Sequence, residues 1–403
     1  MNKSMKIASI MIIMALLLGI GAACAGKPAG PETYKLGGNW EMTGWGGYYG
    51  TQSVDASNLY IKRVNEAGGI NGKLIDYIIH DNETEAEVTA TNVKKLIEKD
   101  QVVAMIGPIF NQNCVAAMEA AKGGYTPLLW NTTGQRPANN SESYDFVNFP
   151  REEGFAESVL RYLRDVHGVQ RLAVLATTDE SGEEDMGYAL TVGAELGLEV
   201  VLVERVDPDA IDVTAQLTKI KAAKVDGLHL GGGGAVIGPM MKGIALLELD
   251  IPVSGPTGLT GGEMLALMKG FEPENLVLPA MPPMLVGLGL LSADHPLTTA
   301  NMAFADAWVG EFGGDKAQIL MEEWGWVGWD AAQWMVDAMI RAGARLDGTL
   351  QDGRDAIRYE LEHTVGLEQT WGIRNTSPSD HNGIPTKEFY ILTVKDGVFS
   401  LLQ

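Results

Sequence analysis

Along this chain, stretches of helical period, about 3.6 residues, alternate with short apolar runs of strand character, and the alternation recurs. Residues 51–67 carry Val54, Ile61 and Val64 on one helical face, with Gly68 and Gly69 as the stop. Residues 74–80 predict a strand, and 84–99 predict a helix with Glu early and Lys late, as the helix dipole favours. Residues 102–106 (VVAMI) form an unbroken apolar run of the kind buried on both faces of a parallel sheet. Another strand is expected at 127–130. After Pro150 the rhythm restarts, with helices at 154–166, 188–196 and 213–223 and strands at 171–176, 199–204 and 227–230. This alternation predicts an α/β fold with a doubly wound parallel sheet in each half. Ligands of such sheets sit at the carboxyl ends of strands, which directs attention to 107–113, 131–136, 177–182, 231–234 and 255–262.

Length and the N-terminus refine this picture. At 403 residues the chain exceeds what one core usually organises, so two domains are expected. Lys3 and Lys6 precede an apolar run from Ile7 to about Ala23, the pattern of an export signal over 1–24. Gly21, Ala22 and Ala23 before Cys24 favour processing over an uncleaved anchor. Two cuts are open: before Cys24, leaving an acylated N-terminal cysteine, or after Ala25. Residues 25–32 (AGKPAGPE) read as a tether. Losing the signal removes two lysines and shifts the formal charge from −22 to −24. So acidic a chain is repelled by phosphates, which excludes nucleic acid as a partner. Cys114 is left without a disulfide partner once Cys24 is lipidated or lost, and reads as a small buried apolar residue.

Residues 65–109, NEAGGINGKLIDYIIHDNETEAEVTATNVKKLIEKDQVVAMIGPI, resemble the branched-chain amino-acid-binding proteins of ABC transporters, the type I periplasmic binding proteins. Gly44 with Tyr49-Gly50, the run from Asp212 to Leu217, Trp329-Asp330-Ala331-Ala332 and Ser379 to Gly383 extend the resemblance over essentially the whole chain after the signal. It implies two lobes with a three-crossing hinge that closes on ligand. Lobe one is 33–149 plus 283–386, and lobe two is 150–282 plus 387–403. It further implies a small-molecule ligand, an ABC transporter permease as partner, no catalysis and no cofactor.

For the ligand, the resemblance points to Asn111 and Gln112 at the start of a helix, where free backbone N–H groups favour a carboxylate. Thr132 and Thr133 would add hydroxyl donors, Tyr49 would contact ligand, and Trp45 and Tyr48 would add an aromatic wall. In the second lobe Ser181, Gly233 and Thr257 occupy the matching strand exits. Family members carry a glutamate for the ligand ammonium where this chain has Thr257. A buried ammonium without an acid is costly, so the expected ligand is an aromatic or aliphatic acid without an α-amino group, or a neutral amide. Glu41, Asp179, Glu180 and Glu183 are the acids that would restore amino-acid binding.

Other chemistry is weaker. The glycines at 231–234 lack the Lys-Ser/Thr of a phosphate loop, and Asp207, Asp209 and Asp212 lack the glycine and terminal glutamate of a calcium loop. The histidines show no zinc spacing, and no GxSxG elbow occurs. Trp324, Trp326, Trp329 and Trp334 stand at helical spacing and read first as packing, second as a ligand platform. A ligand sensor for a membrane signalling partner and an extracytoplasmic enzyme are the competing classes.

Overall fold

The computed structural model describes residues 33–132, 143–260, 262–322, 324–384 and 389–402. The export signal, the tether, Cys24 and Thr133 lie outside the described residues. Two large sheets organise the chain. The first comprises β1 (Thr33–Trp40), β2 (Leu74–Asp81), β3 (Ala104–Ile106), β4 (Leu128–Trp130) and β5 (Asp145–Val147), in the order β2-β1-β3-β4-β5. Every pairing in it is parallel. The second contains β6 (Arg171–Thr177), β7 (Glu199–Val206), β8 (Gly227–Gly231), β9 (Val253–Ser254) and β10 (Leu276–Pro279). After the small hairpin of β11 (Leu367–Gln369) and β12 (Gly372–Arg374), it is completed by β13 (Ile391–Lys395) and β14 (Val398–Leu401). Its order is β14-β13-β10-β9-β8-β6-β7, parallel from β6 to β10 with an antiparallel hairpin on one edge.

The helices form because their apolar faces are wanted by these sheets. Val54 and Ile61 of Gly47–Glu66 are buried with Trp334, Met335 and Met339 of Gly325–Ala342 over the first sheet. The two helices touch at Gly328, where a Cβ would lie 1.8 Å from the Ser53 carbonyl oxygen, so only glycine permits this approach. The tryptophans therefore divide: Trp326, Trp329 and Trp334 are buried, as the packing expectation had it, while Trp324 is half-buried just before the helix. The late part of the chain is tied to the first sheet by buried guanidiniums. Arg354 donates to the carbonyls of Val102 (2.9 Å), Ile97 and Gly124, and Arg374 donates to those of Val147 and Asn148.

Most predicted elements fall where expected, with shifted ends. The helix expected at 188–196 starts two turns earlier, as Glu180–Glu195, because Asp179 caps it by accepting from the Gly182 amide at 3.0 Å. The helix expected at 84–99 is Ala86–Lys94 followed by a wider π turn, Lys95–Asp100.

Candidate functional site

In each sheet the strand order reverses direction at one point, between β1 and β3 in the first and between β6 and β8 in the second. In open α/β sheets the loops leaving adjacent strands diverge at such a point, and the crevice between them is the usual ligand position. At the first switch point β3 runs through Gly107–Phe110 into the helix Asn111–Ala121. The amides of Asn111, Gln112 and Asn113 precede the first intrahelical bond, from Cys114 N to Phe110 O, and so have no partner within the helix. Oδ1 of Asn111 is buried and makes no hydrogen bond. Gln112 is exposed and donates from Nε2 to the Thr84 carbonyl at 3.2 Å, so its side chain is engaged in the neighbouring loop.

The donors just before this helix are already used. Glu41, wholly buried at the exit of β1, accepts from the amides of Ile109 (3.1 Å) and Phe110 (3.3 Å) and from Asn113 Nδ2 (2.9 Å). Burial pushes its carboxyl above the ordinary range, against the pull of these donors. Glu41 thus braces the loop, and its carboxylate is committed to that loop. Thr132 is buried at the exit of β4. Next to it, Asn131 donates from its backbone N to the Pro108 carbonyl at 2.9 Å, fixing the β4 exit against the β3 exit.

Aromatic rings line this edge. Trp45, 64% exposed, packs on Phe110 with centroids 4.3 Å apart, and Tyr49 meets Phe110 edge-on at 5.7 Å. Tyr49 also meets Trp324 at 5.1 Å, and Trp324 stacks on Phe149 at 6.1 Å. Trp45, Tyr49 and Asn111 are therefore brought together around Phe110, and the ring series continues to Phe149, where the chain crosses toward the second sheet. Phe110 was not singled out in the sequence; an aromatic residue directly before a helix start was its only signal.

At the second switch point Ser181 is exposed on the first turn of Glu180–Glu195. Gly232 has φ of 84°, and a Cβ on it would lie 2.0 Å from Thr177 Oγ1. A Cβ on Gly233 would meet nothing within 4 Å, so the glycine run does leave open space at that position. Beneath the run, buried Asp185 accepts from the Gly232 amide at 2.8 Å, and burial raises its pKa to about 7. At the exit of β9, Thr257 lies in the 3-10 turn Thr257–Thr260 and donates from Oγ1 to Glu152 Oε1 at 3.3 Å. The corner at Thr257 is thus not without an acid, and the sequence expectation of a ligand lacking an amino group loses that premise. Of the other acids considered, Asp179 caps its helix and Glu183 pairs with Arg205 at 2.6 Å. Asp207 and Asp212 accept from backbone amides two residues on, the mark of simple turns.

Switch-point loops that offer amides, hydroxyls, rings and open space are the equipment of a small-molecule binding protein. The comparisons carry this further. The chain belongs to the periplasmic binding protein family, whose model matches residues 33–398. This is a family of solute receptors and not of enzymes. An amino acid binding protein of Pseudomonas aeruginosa is 24% identical over 232 residues, 57% of this chain and 61% of that protein. The leucine-, isoleucine-, valine-, threonine- and alanine-binding protein of the same organism is 21% identical over 59% of this chain and 63% of its own length. The chain thus spans less than two thirds of each of these curated relatives. An extracellular ligand-binding receptor from Rhodopseudomonas palustris shares the fold, with a TM-score of 0.69 and 22% identity over 91% of this chain and 99% of that one. A branched-chain amino acid transporter substrate binding protein from Streptococcus pneumoniae, in complex with isoleucine, has a TM-score of 0.64 and 21% identity over 92% and 99%. Among the described residues no helix is long and apolar enough to cross a membrane.

Proposed function

We propose that this protein is an extracytoplasmic receptor that captures a small carboxylate-bearing ligand between two lobes and delivers it to the permease of an ABC transporter. The ligand is an aromatic or aliphatic acid or an amino acid. The lobes are 33–149 with 283–386 and 150–282 with 387–403, joined by three crossings. Export uses the signal at 1–24, and either acylation of Cys24 or cleavage after Ala25 follows.

The observation that carries this reading is the start of Asn111–Ala121. Three amides without intrahelical partners stand there, beside an Asn111 Oδ1 that makes no hydrogen bond, and the residue directly before the helix, Phe110, packs against the rings of Trp45 and Tyr49. A carboxylate is the complement of such amides. The raised pKa of Glu41 weakens its opposition to a second negative group nearby. Thr132 and Thr133 supply hydroxyls on the first lobe, the rings cover the carbon skeleton, and Ser181, Gly233 and Thr257 face it from the second. A thermal-shift screen of the purified protein against amino acids, aromatic acids, keto acids and amides tests this. A ligand at about 100 times its Kd stabilises the folded state by about 2.7 kcal/mol, a rise of several degrees. Stabilisation by amides alone, with every carboxylate inert, would refute the ligand class.

A further inference from the structure

The helices Gly47–Glu66 and Gly325–Ala342 border the ligand edge at their starts, where Tyr49 meets Trp324. Their later turns meet around a second hollow. Gly47–Glu66 leaves β1 and runs back toward the start of β2, so its last turns lie at the opposite edge of the first sheet from the strand exits. Tyr60 is eleven residues beyond Tyr49, about 16 Å along the helix at 1.5 Å per residue. Tyr60 and Arg63, three apart, share a helical face there, as do Trp329 and Gln333, four apart, on Gly325–Ala342. Together with Ala300 and Ala303 of the helix Pro296–Phe312 they line a cavity of about 390 Å³, within the range of small-molecule sites. Its polar groups are donors that the fold does not use. Arg63 is exposed and makes no hydrogen bond or ion pair with any described residue, whereas Lys62 beside it is held by Glu311 at 2.7 Å. The Tyr60 ring is fixed edge-on to Trp329 at 4.9 Å, but its hydroxyl has no partner among the described residues. Burial, then the charges of Asp337 and Asp330, push its pKa up to about 12 with Arg63 pulling the other way, so the phenol keeps its proton. Those two acids are themselves engaged: Asp330 accepts from the Thr370 hydroxyl at 2.8 Å, and Asp337 pairs with Arg341 at 2.8 Å.

We infer that this cavity is a second binding site, separate from the cleft between the sheets, and that it takes a small aryl carboxylate. The guanidinium of Arg63 and the hydroxyl of Tyr60 hold the carboxylate, a charge-assisted pairing for which a planar guanidinium is well shaped. The aryl ring lies in the space that Ala300 and Ala303 leave open and meets the rings of Tyr60 and Trp329. A single carboxylate matches the single guanidinium. A more highly charged anion would gain no further cation there and would be opposed by Asp330, Asp337 and the formal charge of −22 on the chain.

Calorimetric titration with benzoate, phenylacetate and 3-phenylpropanoate tests it in a Gly233→Phe background, in which a bulky ring occupies the open space at the second switch point and weakens binding in the cleft. At least one of the three acids should bind this protein with a Kd below about 1 mM. Adding Arg63→Gln should weaken that acid by about ten-fold or more, and the primary amide of the same acid should bind about ten-fold or more weakly than the acid itself. Ala303→Trp fills the cavity from its exposed rim and should weaken the acid by a similar factor, and it serves as the readout should Arg63→Gln fail to fold. The second site is overturned if none of the three acids binds at up to about 10 mM, or if Arg63→Gln and Ala303→Trp both leave the affinity undiminished. An amide that binds as tightly as its acid overturns the carboxylate preference. None of these outcomes bears on capture in the cleft, which is tested on the wild type by the thermal-shift screen.

Discussion

Asn111 and Asp185 show how differently two polar residues at strand exits can be used. Asn111 leaves a buried oxygen unbonded, a cost that a folded chain accepts where something else will meet the group. Replacing Asn111 with Ala should weaken ligand binding by about 1–3 kcal/mol with an unchanged melting temperature of the free protein. Calorimetry showing wild-type affinity would remove it from the site. Asp185 is an internal brace whose pKa burial raises to about 7. The unfolded carboxyl ionises near pH 4, so between about pH 4 and 7 the folded state holds a proton that the unfolded chain releases. Its contribution to stability is therefore present at low pH and lost as pH rises through about 7. Asp185→Asn keeps an acceptor for the Gly232 amide and should be more stable than wild type at pH 8 by roughly 2–4 kcal/mol, with the gap closing at pH 4. Equal denaturation midpoints at pH 8 would contradict this. At this scale the sequence was partly legible. Asn111, Trp45 and Tyr49 stood out through residue type and family resemblance. Glu152 did not, because it meets Thr257 across 105 positions of sequence and nothing local marks that contact.

Helices and strands were legible to the extent that their apolar faces were. VVAMI and the face of Val54 and Ile61 announced themselves because burial alone specifies them. Glu180–Glu195 was shortened in the sequence reading because its first turns, Glu180 to Asp185, are polar and include a glycine. Its start depends on the Asp179 cap and on Gly182 lying against Thr177, neither of which shows as periodicity. The antiparallel β13–β14 edge was also missed, since an all-parallel second sheet was expected. Two predictions belong to this scale. Gly328→Ala should push Gly325–Ala342 away from Gly47–Glu66 and destabilise the fold by about 3 kcal/mol, read as a lower denaturant midpoint. A midpoint equal to that of wild type would show that the helices can separate without loss. Gly233 has open space around it and is not among the positive-φ glycines. Gly233→Phe should therefore leave the melting temperature of the free protein within a few degrees while lowering ligand affinity by about ten-fold or more. Unaltered affinity would place the ligand elsewhere.

Across the whole molecule, the family match over 33–398 and the two sheets agree with an α/β architecture legible from alternation alone. What alternation could not supply was how the chain leaves the first sheet after β5, because the contacts there are long-range, as in Asn148 Nδ2 donating to the Val327 carbonyl. The Phe149–Trp324 stack and the Thr257–Glu152 bond lie where the chain passes from β5 to the helix Glu152–His167, so the proposed ligand edge and the proposed hinge share residues. A ligand that contacts both sheets should then favour the closed arrangement by its differential affinity for it. Small-angle X-ray scattering on the protein with and without a saturating ligand from the thermal-shift screen tests this most directly. The account predicts a smaller radius of gyration for the wild type on ligand addition, and for Gly233→Phe the same decrease only at a ligand concentration about ten-fold or more higher. A ligand that stabilises the wild type yet leaves its radius of gyration unaltered would contradict capture between the lobes.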